Sequence, residues 1–340
     1  MTDQPADPRL RLSDADKERL QIMFLAKHAK GDGTPHPIDG KHATYHHELA
    51  QTLREIGLNL TIGTTFEDLI DAPKMDYLFT LLNRAGFKNS EMLAPTISVW
   101  RGYPHLGGSP IIRGIGDDKH LTKHCARARG VNTPAGEIYR LGSDMADPPS
   151  FPWTKLVVKP NASSASWGVK MVDSWEEAQD HMAWLFDEGG HDVIVESFFD
   201  GIELAVPVVP GANKRPVFLP VMKYTSDDND RLRTYEEKRG LVPTTEGFSP
   251  FHEPEMTGLV IGEVRKMMPE IWPFDYGRFE FKVNPETMES SFIEVNMSCN
   301  LWSRKTLSLS WQSLGYTHRE LVETILVGSL LRQGVIDAPA

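Results

Sequence analysis

Two short runs near the carboxyl end constrain this chain most: "YGRFEFKV" at 276–283 and "SFIEVNMSCN" at 291–300. In both, polar and apolar residues alternate, and a period of two marks a β-strand with two unlike faces. Arg278 and Glu280 share one face of the first run, opposite Phe279 and Phe281. Glu294 and Asn296 share a face of the second, opposite Ile293 and Val295, which suit a core. The connection "NPETMESS" is rich in turn formers, so an antiparallel hairpin is expected. Such a hairpin gathers Glu280, Glu294 and Asn296 as hard oxygen donors, a set that suits Mg2+ shared with phosphate groups. Alternation alone describes any half-solvated antiparallel sheet. The rest of the chain has to decide.

Upstream, strands and helices alternate. "LQIMFLAK" (20–27) reads as a buried strand, "HATYHHELAQTLREIG" as a helix closed by Gly57, and "LNLTI" and "DYLFTLL" as further strands. Residues 20–83 therefore predict a βαβ unit with a parallel sheet. A helix follows at "DDKHLTKHCARARG", then strands at "KLVVKP" and "VKMV", and a helix from Ser174. "DVIVESF" and "IELAVPVV" predict strands either side of a tight turn. Residues 225–254 read as a long polar loop of functional rather than connecting type. The helices "EMTGLVIGEVRKMM" and "THRELVETILVGSLLRQ" flank the opening hairpin.

Several of these elements offer phosphate-binding chemistry. Lys159 ends a strand and precedes the small-residue loop "NASSASWG", whose backbone N–H groups can cover an anion. Lys119 stands at a helix start, Glu196 at a strand end and Glu203 just past a turn. A flat base against strand-end backbone, with a carboxylate for ribose hydroxyls, fits that order.

Composition excludes other classes. A net charge of -11 over 340 residues supplies no basic stripe for nucleic acid. Cys125 and Cys299 make neither a disulfide framework nor a metal-ligand spacing, and no apolar run reaches membrane-spanning length. The polar, acidic start is unlike a secretory signal, so a cytoplasmic protein is expected. Cys299 reads as packing rather than a nucleophile, and His42 and His46 as a solvated or substrate-facing pair.

Taken in order, "DDKHLTKHCARARGVNTPAG", "VVKPNASSASWGV", "VIVESFFDGIELAV", "YEEKRGLVP", "YGRFEFKV", "FIEVNMSCN" and "LGYTHRELVETIL" resemble the ATP-grasp superfamily. Within it, they resemble the D-alanine–D-alanine ligase-like branch of carboxylate–amine ligases. The resemblance spans roughly residues 117–327, with a looser match before it.

It implies a mixed α/β and α+β architecture, with a Rossmann-like N-terminal domain and two α+β domains clamping ATP. The expected division is a disordered polar leader at 1–18, an N-terminal domain at 19–118, a central ATP-binding subdomain at 119–205 and a C-terminal subdomain with the Mg2+ site at 206–340. By the same resemblance, Lys119 and Lys159 contact ATP phosphates, and Ser163, Ser164 and Ser166 belong to the covering loop. Glu196 and the backbone near Phe198 hold adenine, and Glu203 holds ribose. Glu280, Glu294 and Asn296 bind two Mg2+ ions, with Mn2+ as a substitute. Arg278 stabilises negative charge on the reacting groups, and Lys238 reaches them from a mobile loop.

The chain departs from the branch at Ala165, Arg239, Cys299, Asn300, and Lys305 with Thr306, positions that resemble the shell holding the amino acids. The expected activity is ATP-dependent joining of a small carboxylate to an amine through an acylphosphate, releasing ADP and phosphate. The substrates are expected to differ from the housekeeping D-alanine pair. A small-molecule phosphotransferase on the same fold is the alternative, and a homodimer is the expected assembly.

Overall fold

Residues 7–83, 88–225 and 247–340 are described by the computed structural model. Three short strands, β1 (Gln21–Leu25), β2 (Asn59–Gly63) and β3 (Tyr77–Thr80), form a parallel sheet in the order β2-β1-β3. β1 beyond Gln21 and β3 are buried on both faces, as central parallel strands require, while the edge strand β2 is only partly buried. Helix α1 (Asp14–Arg19) precedes the sheet, and α2 (His42–Ile56) crosses between β1 and β2. Gly57, at φ 101°, ends α2 in a left-handed turn that suits a residue without a Cβ.

Helices α3 (Phe66–Ile70), α4 (Leu93–Arg101) and α5 (Pro110–Asp117) complete the first third of the chain. They are short and uneven in polarity, and no periodic pattern announced them. Next come α6 (Lys119–Ala128), β4 (Gly136–Tyr139), β5 (Leu156–Pro160), β6 (Lys170–Val172), α7 (Trp175–Gly189) and β7 (Val193–Ser197). The four strands make an antiparallel sheet ordered β4-β7-β5-β6.

After a turn at 198–201 the chain enters a third sheet. It comprises β8 (Ile202–Pro210), β9 (Pro216–Phe218), β10 (Met222–Thr225), β11 (Gly247–Pro250), β12 (Gly277–Val283) and β13 (Ser290–Asn296). Its order is β11-β10-β8-β12-β13, with β9 also beside β8. Residues 247–250, expected as loop, are the strand that closes this edge by pairing with β10. Helix α8 (Pro254–Ile271) covers it, and α9 (Thr306–Gln312) and α10 (His318–Arg332) end the chain.

The hairpin forms as its alternation predicts, with Glu280 opposite Glu294 and Arg278 opposite Asn296. A bulge between Glu280 and Phe281 shifts the pairing, so that Phe281 meets Phe292. Ile293, expected in the core, is consequently only half-buried.

Residues 7–18 of the expected leader are ordered. Leu10 and Leu12 are buried, and their amides donate to Thr324 Oγ1 (3.1 Å) and Glu323 Oε1 (3.0 Å) of α10. One core joins these leucines and the first sheet to α10, Leu301 and Trp311, while a second lies under the third sheet against α8. A third packs the second sheet on α7.

Candidate active site

Twelve of the thirteen site residues expected from the sequence line a single cavity: Lys119, Lys159, Ser163, Ser164, Ser166, Glu196, Phe198, Glu203, Arg278, Glu280, Glu294 and Asn296. Lys238, like Arg239, lies outside the described residues. The second and third sheets supply most of the walls, and the turn between β7 and β8 bridges them. Gly201 in that turn runs so close to β12 that a Cβ would sit 2.6 Å from the Val283 carbonyl oxygen. Only glycine lets the turn pass this close to β12.

Opposite charges pair across the cavity. Lys119 Nζ stands 3.6 Å from Glu294 Oε2 and donates to the Ser163 carbonyl at 3.0 Å. Arg278 Nε donates to Glu280 Oε1 at 2.6 Å. Burial alone would lower the guanidinium pKa, but Glu280 outweighs it and holds Arg278 firmly charged.

Glu196, expected at the base, is clamped by two lysines. Lys159 Nζ meets its Oε2 at 2.7 Å and Lys123 Nζ meets its Oε1. Burial would raise this carboxyl, yet the two ammonium groups hold it below the ordinary range. Lys159, pushed down by burial, is carried above its usual value by Glu196. Lys123, fully buried and facing the second lysine, falls to about 7 despite the same carboxylate. Lys159 lines the cavity and keeps its charge, so it is the member of this pair that suits a phosphate.

The covering loop has an unusual backbone. Ala165 and Ser166 both adopt left-handed φ, 57° and 56°, followed by Gly168 at 70°. Trp167 lines the cavity and also packs on Trp184 of α7, at 5.4 Å between rings, and on His191 just beyond that helix, at 5.0 Å. His181 of α7 donates from Nε2 to the Gly168 carbonyl at 2.8 Å, so the loop is fastened at its far end. At the other wall, the Phe198 amide donates to the Lys155 carbonyl at 2.9 Å. Lys282 Nζ sits 4.4 Å above the Phe198 ring and pairs across the sheet with Glu203.

Three residues of the site escaped the sequence reading. Lys123 is one helical turn beyond Lys119 on the same face, and Lys282 continues the two-residue rhythm of Arg278 and Glu280. Both signals were present. Glu91 was not findable locally: a 3-10 turn at Ser90–Met92 carries it to the cavity, where Ser298 Oγ donates to its Oε2 at 2.8 Å.

Among the departures, Ala165 lines the cavity, whereas Asn300 and Lys305 are not among its lining residues. Asn300 Oδ1 accepts the Trp302 amide at 2.8 Å, and Lys305 precedes α9 as its N-cap. Cys299 is buried, its thiol pushed up to about 11 by burial, consistent with packing. His46, expected in solvent or facing substrate, is buried and accepts the His28 amide at 3.2 Å.

Two antiparallel sheets enclosing a cavity of lysines and carboxylates, behind a small parallel sheet, define an ATP-grasp enzyme. The family model described as D-ala D-ala ligase C-terminus matches residues 147–327. The chain belongs to the D-alanine–D-alanine ligase family, which places it among ATP-dependent, ADP-forming ligases. It is 28% identical over 237 residues to a D-alanine–D-alanine ligase of Methylibium petroleiphilum, covering 67% of this chain and 72% of that protein. An uncharacterised protein of Sinorhizobium fredii is 24% identical over 234 residues, 68% of each chain. In three dimensions the chain resembles the Bacillus anthracis D-alanine–D-alanine ligase complexed with ATP, with a TM-score of 0.71, 18% identity, and coverage of 93% of this chain and 99% of that one. The VanG D-Ala:D-Ser ligase of Enterococcus faecalis gives 0.66 at 14% identity, covering 91% and 99%.

Proposed function

We propose that this enzyme activates an amino acid or other small carboxylate with ATP and Mg2+ and joins it to an amine, and that its substrates are not the housekeeping D-alanine pair. The carrying observation is the pairing of Lys119, Lys159 and Arg278 with Glu294, Glu196 and Glu280 in one cavity. Each cation matches phosphate and each of Glu280 and Glu294 matches a hard metal ion. A bound Mg-nucleotide lets both groups exchange partners without leaving a buried charge alone.

Glu280, Glu294 and Asn296 fit Mg2+ because their donors are all oxygens and cross-strand pairing puts both carboxylates at one level. The ions would supply charge neutralisation on the phosphates. Lys119 and Lys159 would hold the phosphates in line, Glu203 the ribose, and the loop from Ser163 to Ser166 would exclude water. The substrate carboxylate attacks the γ-phosphorus and ADP leaves. The amine then attacks the acyl carbon, loses a proton to solvent or a nearby base, and phosphate departs. Arg278 would stabilise the oxyanion formed in that second step.

Ala165 supports altered substrates, since it brings a methyl group to the cavity where the family pattern has a serine hydroxyl. Losing such a buried hydrogen bond shifts preference by about 1 kcal/mol or more. The test is ATP-dependent phosphate release over a panel of D- and L-amino acid pairs and dicarboxylic amines, with products identified by mass spectrometry. An amide product from a pair other than D-alanine with itself is expected. Efficient turnover of D-alanine alone, comparable to the best pair, would overturn the substrate reading, and a stable phosphorylated product without amide would overturn the ligase.

A further inference from the structure

The loop between β1 and α2 holds a second group of ligand-type side chains, none of which lines the phosphate cavity. His28, His36 and Asp39 bring ligand atoms within 4.8 Å of one another. We propose that these three residues form a binding site for a divalent transition ion of the Zn2+ class.

Tetrahedral Zn2+ bonds of about 2.0–2.2 Å set ligand atoms about 3.3 Å apart. His28 Nε2 lies 2.8 Å from Asp39 Oδ2 and His36 Nδ1 lies 3.8 Å from the same oxygen, so these two spacings fall either side of that value. Two imidazoles with one carboxylate select Zn2+, Co2+ or Ni2+ over Mg2+, which prefers oxygen throughout. Three protein ligands leave the fourth position to water or a ligand.

The loop is built to hold this set. His36 and Gly40 close a small ring through paired backbone bonds of 2.9 and 2.8 Å, which fixes His36 and Asp39 relative to each other. The His28 ring neighbours those of His36, at 4.9 Å, and His46, at 5.7 Å. Asp39 is buried, and its Oδ2 is the atom on which both imidazoles converge.

Two contacts compete for these atoms. Lys27 Nζ is 2.5 Å from Asp39 Oδ2, and the amides of Ile38 and Asp39 donate to His36 Nδ1 at 3.2 and 3.1 Å. The Lys27 side chain is 60% exposed and can return to water when an ion takes its place. The two amide contacts are long and belong to the same loop, so they can adjust together.

The experiment uses the full-length protein, stripped with chelator and titrated with ZnCl2 by calorimetry, and with Co2+ for its visible tetrahedral bands. One ion per chain is expected without nucleotide, and excess Mg2+ should not displace it. Asp39→Asn and His36→Gln should each weaken binding at least about tenfold, while Lys27→Met should strengthen it. Circular dichroism verifies folding of each variant. His36→Gln serves as the second ligand variant if Asp39→Asn fails to fold. The surface pair His120 and His124, whose Nε2 atoms lie 3.1 Å apart, is removed by a double alanine variant that should still bind. Absence of stoichiometric binding in the wild type overturns the proposal. So does binding unchanged by His36→Gln, or binding lost with His120 and His124.

Discussion

Glu294 shows how one carboxylate serves two states of the site. It faces Lys119 at 3.6 Å in the structure, and in the proposed complex it would turn to Mg2+. Glu294→Gln keeps the shape and removes the charge, so kcat should fall about 100-fold or more with thermal stability nearly unchanged. Steady-state phosphate release across a range of Mg2+ concentrations measures this, and near wild-type turnover would rule out the metal role. Lys123 calls for a different measurement. Without it, Lys159 would have to neutralise the buried Glu196 by itself and would be held back from phosphate. Lys123→Met should therefore raise KM for ATP roughly tenfold. Its pKa also has a sign that can be followed. The folded value is lowered from 10.5 to about 7, so between those values the unfolded chain binds the extra proton. Stability from this group therefore rises as pH increases through that window. Denaturant midpoints at several pH values should show that rise in the wild type and a smaller one in Lys123→Met.

Among the elements, the covering loop depends most on its surroundings. Trp167 bridges the cavity and α7, so Trp167→Ala should free the loop at its fastened end and let water reach the activated carboxylate. The ratio of ADP released to amide formed should increase several-fold. A ratio equal to wild type would reduce Trp167 to packing. The β12–β13 hairpin was legible beforehand because strand alternation ties sequence spacing directly to side-chain direction, and Glu280, Glu294 and Asn296 follow from it. The bulge at Ile293 was not, because a one-residue slip leaves no mark in the alternation. The βαβ unit and the long helices were legible from apolar runs and glycine stops. Short helices such as α3 and α5 have too few turns to show a period. Glu91 depends on contacts between distant segments, which no local pattern encodes.

On the scale of the whole molecule, α10 is the joint. Asp275, just before β12, is buried and accepts from the Gly107 amide at 2.6 Å, Ser329 Oγ at 2.6 Å and Arg332 Nε at 2.8 Å. Tyr77 of the first sheet donates to Ser329 at 2.7 Å, so four parts of the chain meet at one carboxylate. Asp275→Ala would leave Arg332 and two donors without their partner and should cost about 3–5 kcal/mol. Urea unfolding measures it, and a loss below about 1 kcal/mol would show that the network contributes little. The polar beginning of the chain concealed this joint, since only Leu10 and Leu12 betray that it docks. That docking has a temporal side. The Leu10 amide meets Thr324 across a separation of 314 positions. At about 5–20 residues per second on the ribosome, the first leucines wait on the order of 15 to 60 s for their partner to be made. The parallel sheet, although synthesised well before α10, is therefore among the last parts to be sealed, and its apolar face stays open on the nascent chain until α10 emerges.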